Sequence, residues 1–176
     1  DKISAKLNIS PQELSQLGHR GIRIHQVAGK CGVFAETDIN GLQKQGIPND
    51  EIMASLFEAV VLQNQTVLTR GHTLRPRVLL LGGPHTFIRG MREAWEAKLP
   101  QMWEERGVSI PPGSSIDELV FGPADGHYFG GLGAIEFGRD MEEHVGRYTG
   151  LKQLEKSLRK GQSVGGSGGG TAGVGP

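Results

Sequence analysis

The chain has one cysteine in 176 residues. A single thiol makes neither an internal disulfide nor a complete zinc site. The plain reading is a reducing, cytosolic setting. Aromatic residues are sparse at 6%, and neither sign of charge is in excess, with 19 Lys plus Arg against 19 Asp plus Glu. A net charge of zero lacks the basic footprint of a nucleic-acid binder. Long apolar runs are missing too. Val78-Leu79-Leu80-Leu81 suits a short buried strand and falls far below the ~20 residues of a membrane span. The expectation is a cytoplasmic protein that uses neither nucleic acid nor membrane as a partner. The opening Asp1-Lys2-Ile3-Ser4 is neither a signal peptide nor an initiator sequence, and reads as a cut within a larger protein.

Glycine, by contrast, is abundant at 28 residues. Gly161 to Pro176 holds 8 of these glycines and no apolar stripe, the composition of a flexible linker. The others gather at predicted strand ends and between Gly126 and Gly138, where they mark tight turns and close packing. The remaining length suits one domain with a core of its own.

Helix signals come first along the chain. Ser10 can cap a helix opened by Pro11, with Glu13 set one residue early for a capping box, and Gly18 and Gly21 beyond its end. Ile22 to Val27 reads as a weak strand or extended connector. Gly29-Lys30-Cys31-Gly32 forms a tight loop, and Val33 to Gln45 a helix ending at Gly46. Pro48, Asp50 and Glu51 open the strongest helix. Its predicted stripe is Ile52, Leu56, Val60, Val67 and Leu68, widened by Met53, Phe57 and Val61, and it stops at Arg70-Gly71.

The second half alternates strand and helix. Arg77 to Leu81 predicts a strand running into Gly82-Gly83-Pro84. Thr86 caps a helix through Leu99 that buries Phe87, Ile88, Met91 and Trp95. Pro100 to Ser115 reads as irregular, Glu118 to Phe121 as a second strand, and Gly126 to Gly138 as a small-residue helix. This alternation predicts an α/β fold with a parallel or mixed sheet, and the rest of that sheet is expected before Asp1.

Two places carry chemistry. A buried strand ending in Gly82-Gly83, with a helix next, sets bare backbone at the carboxyl edge of a sheet, where open α/β folds bind ligands. An ordinary strand–helix turn explains the glycine pair equally well. Cys31 precedes a helix, so the positive end of the helix dipole and the neighbouring Lys30 favour a thiolate able to hold an anionic cluster. One thiolate does not complete an iron–sulfur site, which usually takes four. Glu36 and Asp38 read as dipole partners or surface groups. His19, His25, His72 and His144 read as surface or satisfied polar residues, whereas His85 and His127 flank the glycine turns. Neither a Gly-x-Ser-x-Gly elbow nor a Walker loop is present.

The strings Lys30-Cys31-Gly32-Val33-Phe34-Ala35-Glu36-Thr37-Asp38, Gln45 to Pro48, Leu80-Leu81-Gly82-Gly83-Pro84 and Tyr128 to Ala134 fall in an order that resembles the activator ATPases of 2-hydroxyacyl-CoA dehydratases and benzoyl-CoA reductases. The resemblance runs from about Leu7 to Phe137. It implies a ribonuclease H-like ATPase lobe of the actin, Hsc70 and sugar kinase type, with the N-terminal lobe, the first strands and the phosphate loops lying outside this chain. Residues 1–140 would be the C-terminal lobe, 141–160 a helical extension and 161–176 a Gly-rich linker.

The resemblance further implies ATP with Mg2+ and a 4Fe–4S cluster shared by a homodimer, with Cys31 as one cluster ligand. It places the nucleotide against Gly82, Gly83, Pro84, Gly126 and His127. Electrons would come from reduced ferredoxin or flavodoxin and pass to an acyl-CoA dehydratase or reductase component. On this reading the full-length protein hydrolyses ATP and the piece alone does not; its catalytic residues fall outside the chain. Two other readings stand beside it: a sugar-kinase-like phosphotransferase, and a non-catalytic nucleotide-sensing or dimerisation module of a larger reductase.

Overall fold

In the computed structural model the described residues are 2–27, 32–67, 69–141, 150–153 and 155–156, with residues 2 and 32–35 described by backbone alone. They divide into two units, Asp1–Ala134 and Ile135–Pro176. The first holds the core.

Helix α1 (Lys2–Lys6) precedes α2 (Pro11–Gln16), so the Ser10 signal opens the second helix rather than the first. Its capping box is in full register. The Glu13 N–H donates to Ser10 Oγ at 3.2 Å and the Ser10 N–H to Glu13 Oε2 at 2.8 Å, with Pro11 in the first turn. Helix α3 (Gly32–Lys44) begins one residue before its predicted start, and Gly46 follows it at φ +73°. Helix α4 (Asn49–Val67) has Asp50 and Glu51 in its first turn, as charge–dipole attraction favours. Arg70 and Gly71 beyond it adopt φ +49° and +85°.

The buried face of α4 is rotated from the predicted stripe. Ile52, Met53, Leu56, Phe57 and Val61 are buried, but Val60 and Val67 face outward, Val67 at 62% exposure, and Leu68 lies outside the described residues. The cause is tertiary. Helix α4 packs chiefly on one other helix, so the arc that meets this neighbour decides which apolar residues are covered.

Ile22 to Val27, read as a weak strand or an extended connector, is a connector of irregular backbone in the structure. Polar bonds hold it instead. The His25 N–H donates to Ser55 Oγ at 2.8 Å, and His25 Nε2 lies 2.6 Å from Glu51 Oε2. Just upstream, the His19 and Arg20 N–H groups donate to Glu93 Oε2 at 2.7 and 3.0 Å. Side chains thus supply the partners that a sheet would otherwise give.

Strand β1 (Val78–Leu79) starts one residue later than predicted, because Arg77 stands at φ +76°, outside the extended region, and it ends two residues earlier. The following helix is broken. Helix α5 (Gly83–Phe87) ends where Ile88 turns extended, at φ −111° and ψ 106°, and α6 (Arg89–Glu105) begins afresh. Phe87, expected in the core, is 58% exposed on the far side of this break, while Met91 and Trp95 are buried as predicted. Helix α6 also continues through Pro100 into the segment predicted as irregular. A helix-interior proline costs ~3 kcal/mol. Met102 and Trp103, both buried beyond it, offset that cost, and Trp103 Nε1 donates to the Leu74 carbonyl at 2.7 Å.

Helix α7 (Ile116–Leu119) takes the first half of the predicted second strand, because Glu118 Oε2 accepts from the Ser115 N–H at 2.9 Å. Strand β2 (Val120–Phe121) pairs parallel to β1, with Val78 opposite Val120 and Leu79 opposite Phe121. A 3-10 turn (Gly126–Tyr128) leads to α8 (Phe129–Asp140), which has no buried residue. The parallel pair with intervening helices fits part of an α/β fold, although the described residues are mostly helical and hold only these two strands.

The core lies between α4 and α6 and takes Ile39 and Leu42 from α3 and Leu119 and Val120 from the second strand region. Gly90 permits this approach. A Cβ there would meet Phe57 Cδ2 at 2.6 Å and the Leu17 carbonyl at 2.8 Å, and its N–H donates to that carbonyl at 2.9 Å. No described helix is long and apolar enough to cross a membrane.

Candidate functional site

The two strands are parallel, so the turns after them stand side by side at one edge of the sheet. After β1, Gly82 adopts φ +94° and ψ 161°, which a side chain would strain. Nothing lies within 4 Å of where its Cβ would stand. Its N–H donates to the Gly126 carbonyl at 3.1 Å, tying the two turns together. Thr86 Oγ1 donates to the Gly82 carbonyl at 3.1 Å. Gly82 therefore offers open backbone, a Cβ on Gly83 would stand 3.9 Å from Phe87 Cδ2, and Pro84 occupies the first turn of α5. The helix expected to be capped by Thr86 is capped instead at Gly82 and runs only five residues, so it carries little dipole toward this edge.

Gly126 is buried. A Cβ there would lie 3.3 Å from Thr86 Oγ1 and 3.4 Å from Pro123 Cγ. Its lack of a side chain serves the packing of one turn on the other.

The two histidines beside these turns differ. Trp95 Nε1, which can only donate, bonds His85 Nε2 at 2.9 Å. The proton of neutral His85 is then on Nδ1, which donates to the Leu81 carbonyl at 2.7 Å. Both ring nitrogens are committed to the fold. His127 is half-buried, with its ring centroid 3.8 Å from that of Tyr128 and 4.8 Å from that of Phe87. Its Nδ1 is buried and has no hydrogen-bond partner. Phe87 and Tyr128 are both more than half exposed. Three aromatic rings, one of them carrying a buried nitrogen without a hydrogen-bond partner among the described residues, thus stand beside the glycine turns.

The shared fold lies with a dehydratase component. The crystal structure of component A of (R)-2-hydroxyglutaryl-CoA dehydratase from Acidaminococcus fermentans matches with a TM-score of 0.50 and 19% identity, over 76% of this chain and 44% of that one. This chain therefore spans less than half of that component. At such identity the likeness speaks to the fold. No family model matches the sequence, and no curated protein does.

Cys31, the predicted metal ligand, lies outside the described residues. Helix α3 begins at the residue after it. Among the described residues no group of three or more His, Cys, Asp or Glu side chains is placed to hold a metal ion. Sequence reasoning missed two features here. One is the lock between His85 and Trp95, which crosses a helix break that no residue pattern announced. The other is the burial of His19, whose Nε2 lies 3.1 Å from Glu58 Oε2; its class as a satisfied polar residue was legible, but its partner was not.

Proposed function

We propose that this chain is the nucleotide-binding part of an ATP-driven electron-transfer activator for a CoA-ester dehydratase or reductase. The observation that carries the reading is a coincidence of two routes. Residue strings around Cys31, Gly82-Gly83 and Tyr128–Ala134 resemble the activators of 2-hydroxyacyl-CoA dehydratases, and the fold is similar to component A of one such dehydratase.

In this proposal Gly82 and Gly83 lie against adenosine, with the His127 ring beside them. Pro84 and Gly126 hold the two turns in place, and Mg2+ accompanies the ATP. Cys31 supplies one thiolate to a 4Fe–4S cluster whose other ligands come from residues outside this chain and from a second copy. That cluster supplies one-electron chemistry when bound. Residues 1–140 act as the C-terminal lobe, 141–160 as a helical extension and 161–176 as a linker. Reduced ferredoxin or flavodoxin is the electron donor.

The test uses the complete polypeptide purified without oxygen. A brown dimer is expected, and Cys31→Ala should lower its iron content and bleach its visible absorption while ATP still binds. Unchanged iron in that variant would remove Cys31 from the cluster. A colourless monomer, with or without nucleotide, would sink the whole reading.

A further inference from the structure

A second cleft lies at the other edge of the sheet. Arg75, Pro76 and Arg77 stand just before β1, and Glu118 and Leu119 just before β2. Because the strands are parallel, these residues line the amino edge, opposite the glycine turns. With Ser109 and Ser114 they line a half-open depression of about 560 Å³. That volume is within the usual range for small-molecule sites, ~300–1,000 Å³.

The charges in the cleft are unbalanced. Arg20, Arg89, Arg92 and Arg139 are each paired with a carboxylate, Arg106 bonds Thr73 Oγ1 and the His72 carbonyl, and the side chains of Arg23 and Arg70, away from the cleft, have no ion pair or hydrogen bond among the described residues. Arg75 and Arg77 have no ion pair or hydrogen bond among the described residues, and neither do the hydroxyls of Ser109 and Ser114. Among the described residues the one acid on the lining is Glu118, and its Oε2 already accepts the Ser115 N–H at 2.9 Å. Two guanidinium groups and two hydroxyls are left for something else.

Their backbone is also fixed. Trp103 Nε1 anchors the Leu74 carbonyl at 2.7 Å immediately before Arg75, and the pairing of Val78 with Val120 anchors the chain immediately after Arg77. Between these points Pro76 sets its own φ, and Arg77 is held at φ +76°, where few side-chain-bearing residues sit. Such outliers persist where the surroundings determine them, often at ligand sites. Guanidinium groups on a fixed backbone suit forked recognition of a phosphoryl group.

We infer that this cleft binds a phosphate-bearing small molecule, with Arg75 and Arg77 gripping its oxyanion and Ser109 and Ser114 donating to it. The site is independent of the activator reading, since it lies at the opposite sheet edge and needs neither Cys31 nor the glycine turns.

Calorimetric titration of the 176-residue chain with inorganic pyrophosphate, and in parallel with AMP, tests the inference. Saturable binding of pyrophosphate that weakens as salt is raised is expected. Arg77→Gln should weaken it about tenfold, the loss expected for one charge-assisted pair. Ser109→Asp should abolish it by placing a carboxylate on the cleft lining, and serves as the second variant if Arg77→Gln does not fold. A parallel loss for AMP assigns the cleft to nucleotide phosphates. A loss for pyrophosphate alone assigns it to free inorganic phosphates. Absence of saturable pyrophosphate binding, or equal weakening by Arg23→Gln outside the cleft, would overturn the site.

Discussion

Helices α6 and α8 carry different loads than their compositions suggest. Seven of the 17 residues of α6 are charged, yet it buries both tryptophans of the chain. Helix α8 has three charged residues in 12 and leaves Leu132 and Phe137 exposed, at 52% and 69%. The difference lies in arrangement. In α6, Met91, Trp95, Leu99 and Met102 recur every three or four residues and meet a matching face on α4. Helix α8 spends four of its positions on glycine, and at three of these, Gly130, Gly131 and Gly133, the space a Cβ would take has no neighbouring atom within 4 Å. Apolar content makes a helix capable of burial; a partner surface at the right spacing makes it buried.

The largest expected contrast between them is a large-to-small substitution in each. Trp103 is fully buried in the core and anchors Leu74 as well. Trp103→Ala should cost ~3–5 kcal/mol, a large fraction of the ~5–15 kcal/mol that holds a typical domain together. Leu132→Ala on exposed α8 should change stability by no more than ~0.5 kcal/mol. Urea unfolding followed by circular dichroism measures both. Similar midpoints for the two variants would mean that α8 is covered in solution, and the contrast would fail.

Glycine substitutions sharpen the same difference by changing its sign. At Gly90 in α6 an added methyl group meets the Phe57 ring and the Leu17 carbonyl, and backbone cannot step aside. Gly90→Ala should destabilise by ~1–3 kcal/mol. At Gly133 in α8 the same methyl group meets open space. Gly133→Ala should leave stability unchanged or raise it by up to ~1 kcal/mol through helix propensity. The thermal melt of Gly90→Ala should shift downward, and that of Gly133→Ala should stay in place or shift upward. A downward shift for Gly133→Ala would show that its bare backbone is in use.

Much of this fold was legible wherever local chemistry decides it. Ser10, Pro11 and Glu13 announced a helix start, Gly46 and Gly71 announced ends, and Gly82 announced a backbone that a side chain would strain. What escaped was set at a distance. The side of α4 that turns inward depends on α6, the continuation of α6 through Pro100 depends on Trp103 finding Leu74, and the polar bonds of the His19–Val27 segment depend on carboxylates from two other helices. At the candidate site the glycine turn could be read from its own residues. The commitment of His85 could not, because Trp95 reaches it across the break at Ile88.

The smallest effect compares acids on the two helices. Burial raises the pKa of Glu93 on α6, but the N–H groups of His19 and Arg20 and the charges of Arg89 and Arg20 together outweigh it, so its carboxyl is held below the ordinary value. A depressed folded-state pKa contributes stability above the unfolded-chain value, ~4.3, and that contribution fades as pH falls through the folded value. Glu93→Gln should therefore lower the urea midpoint at about pH 7 and narrow its gap from the wild type at an acid pH below the unfolded-chain value of ~4.3, where that contribution fades. Among the described residues Glu136 on α8 pairs only with Arg139 one turn on, and both are exposed. Glu136→Gln should leave the midpoint within error at either pH, since exposed pairs contribute little. A Glu93→Gln deficit that is the same at both pH values would mean that the carboxylate acts through shape alone, and the His19–Arg20 segment would then owe its position to packing rather than to that charge.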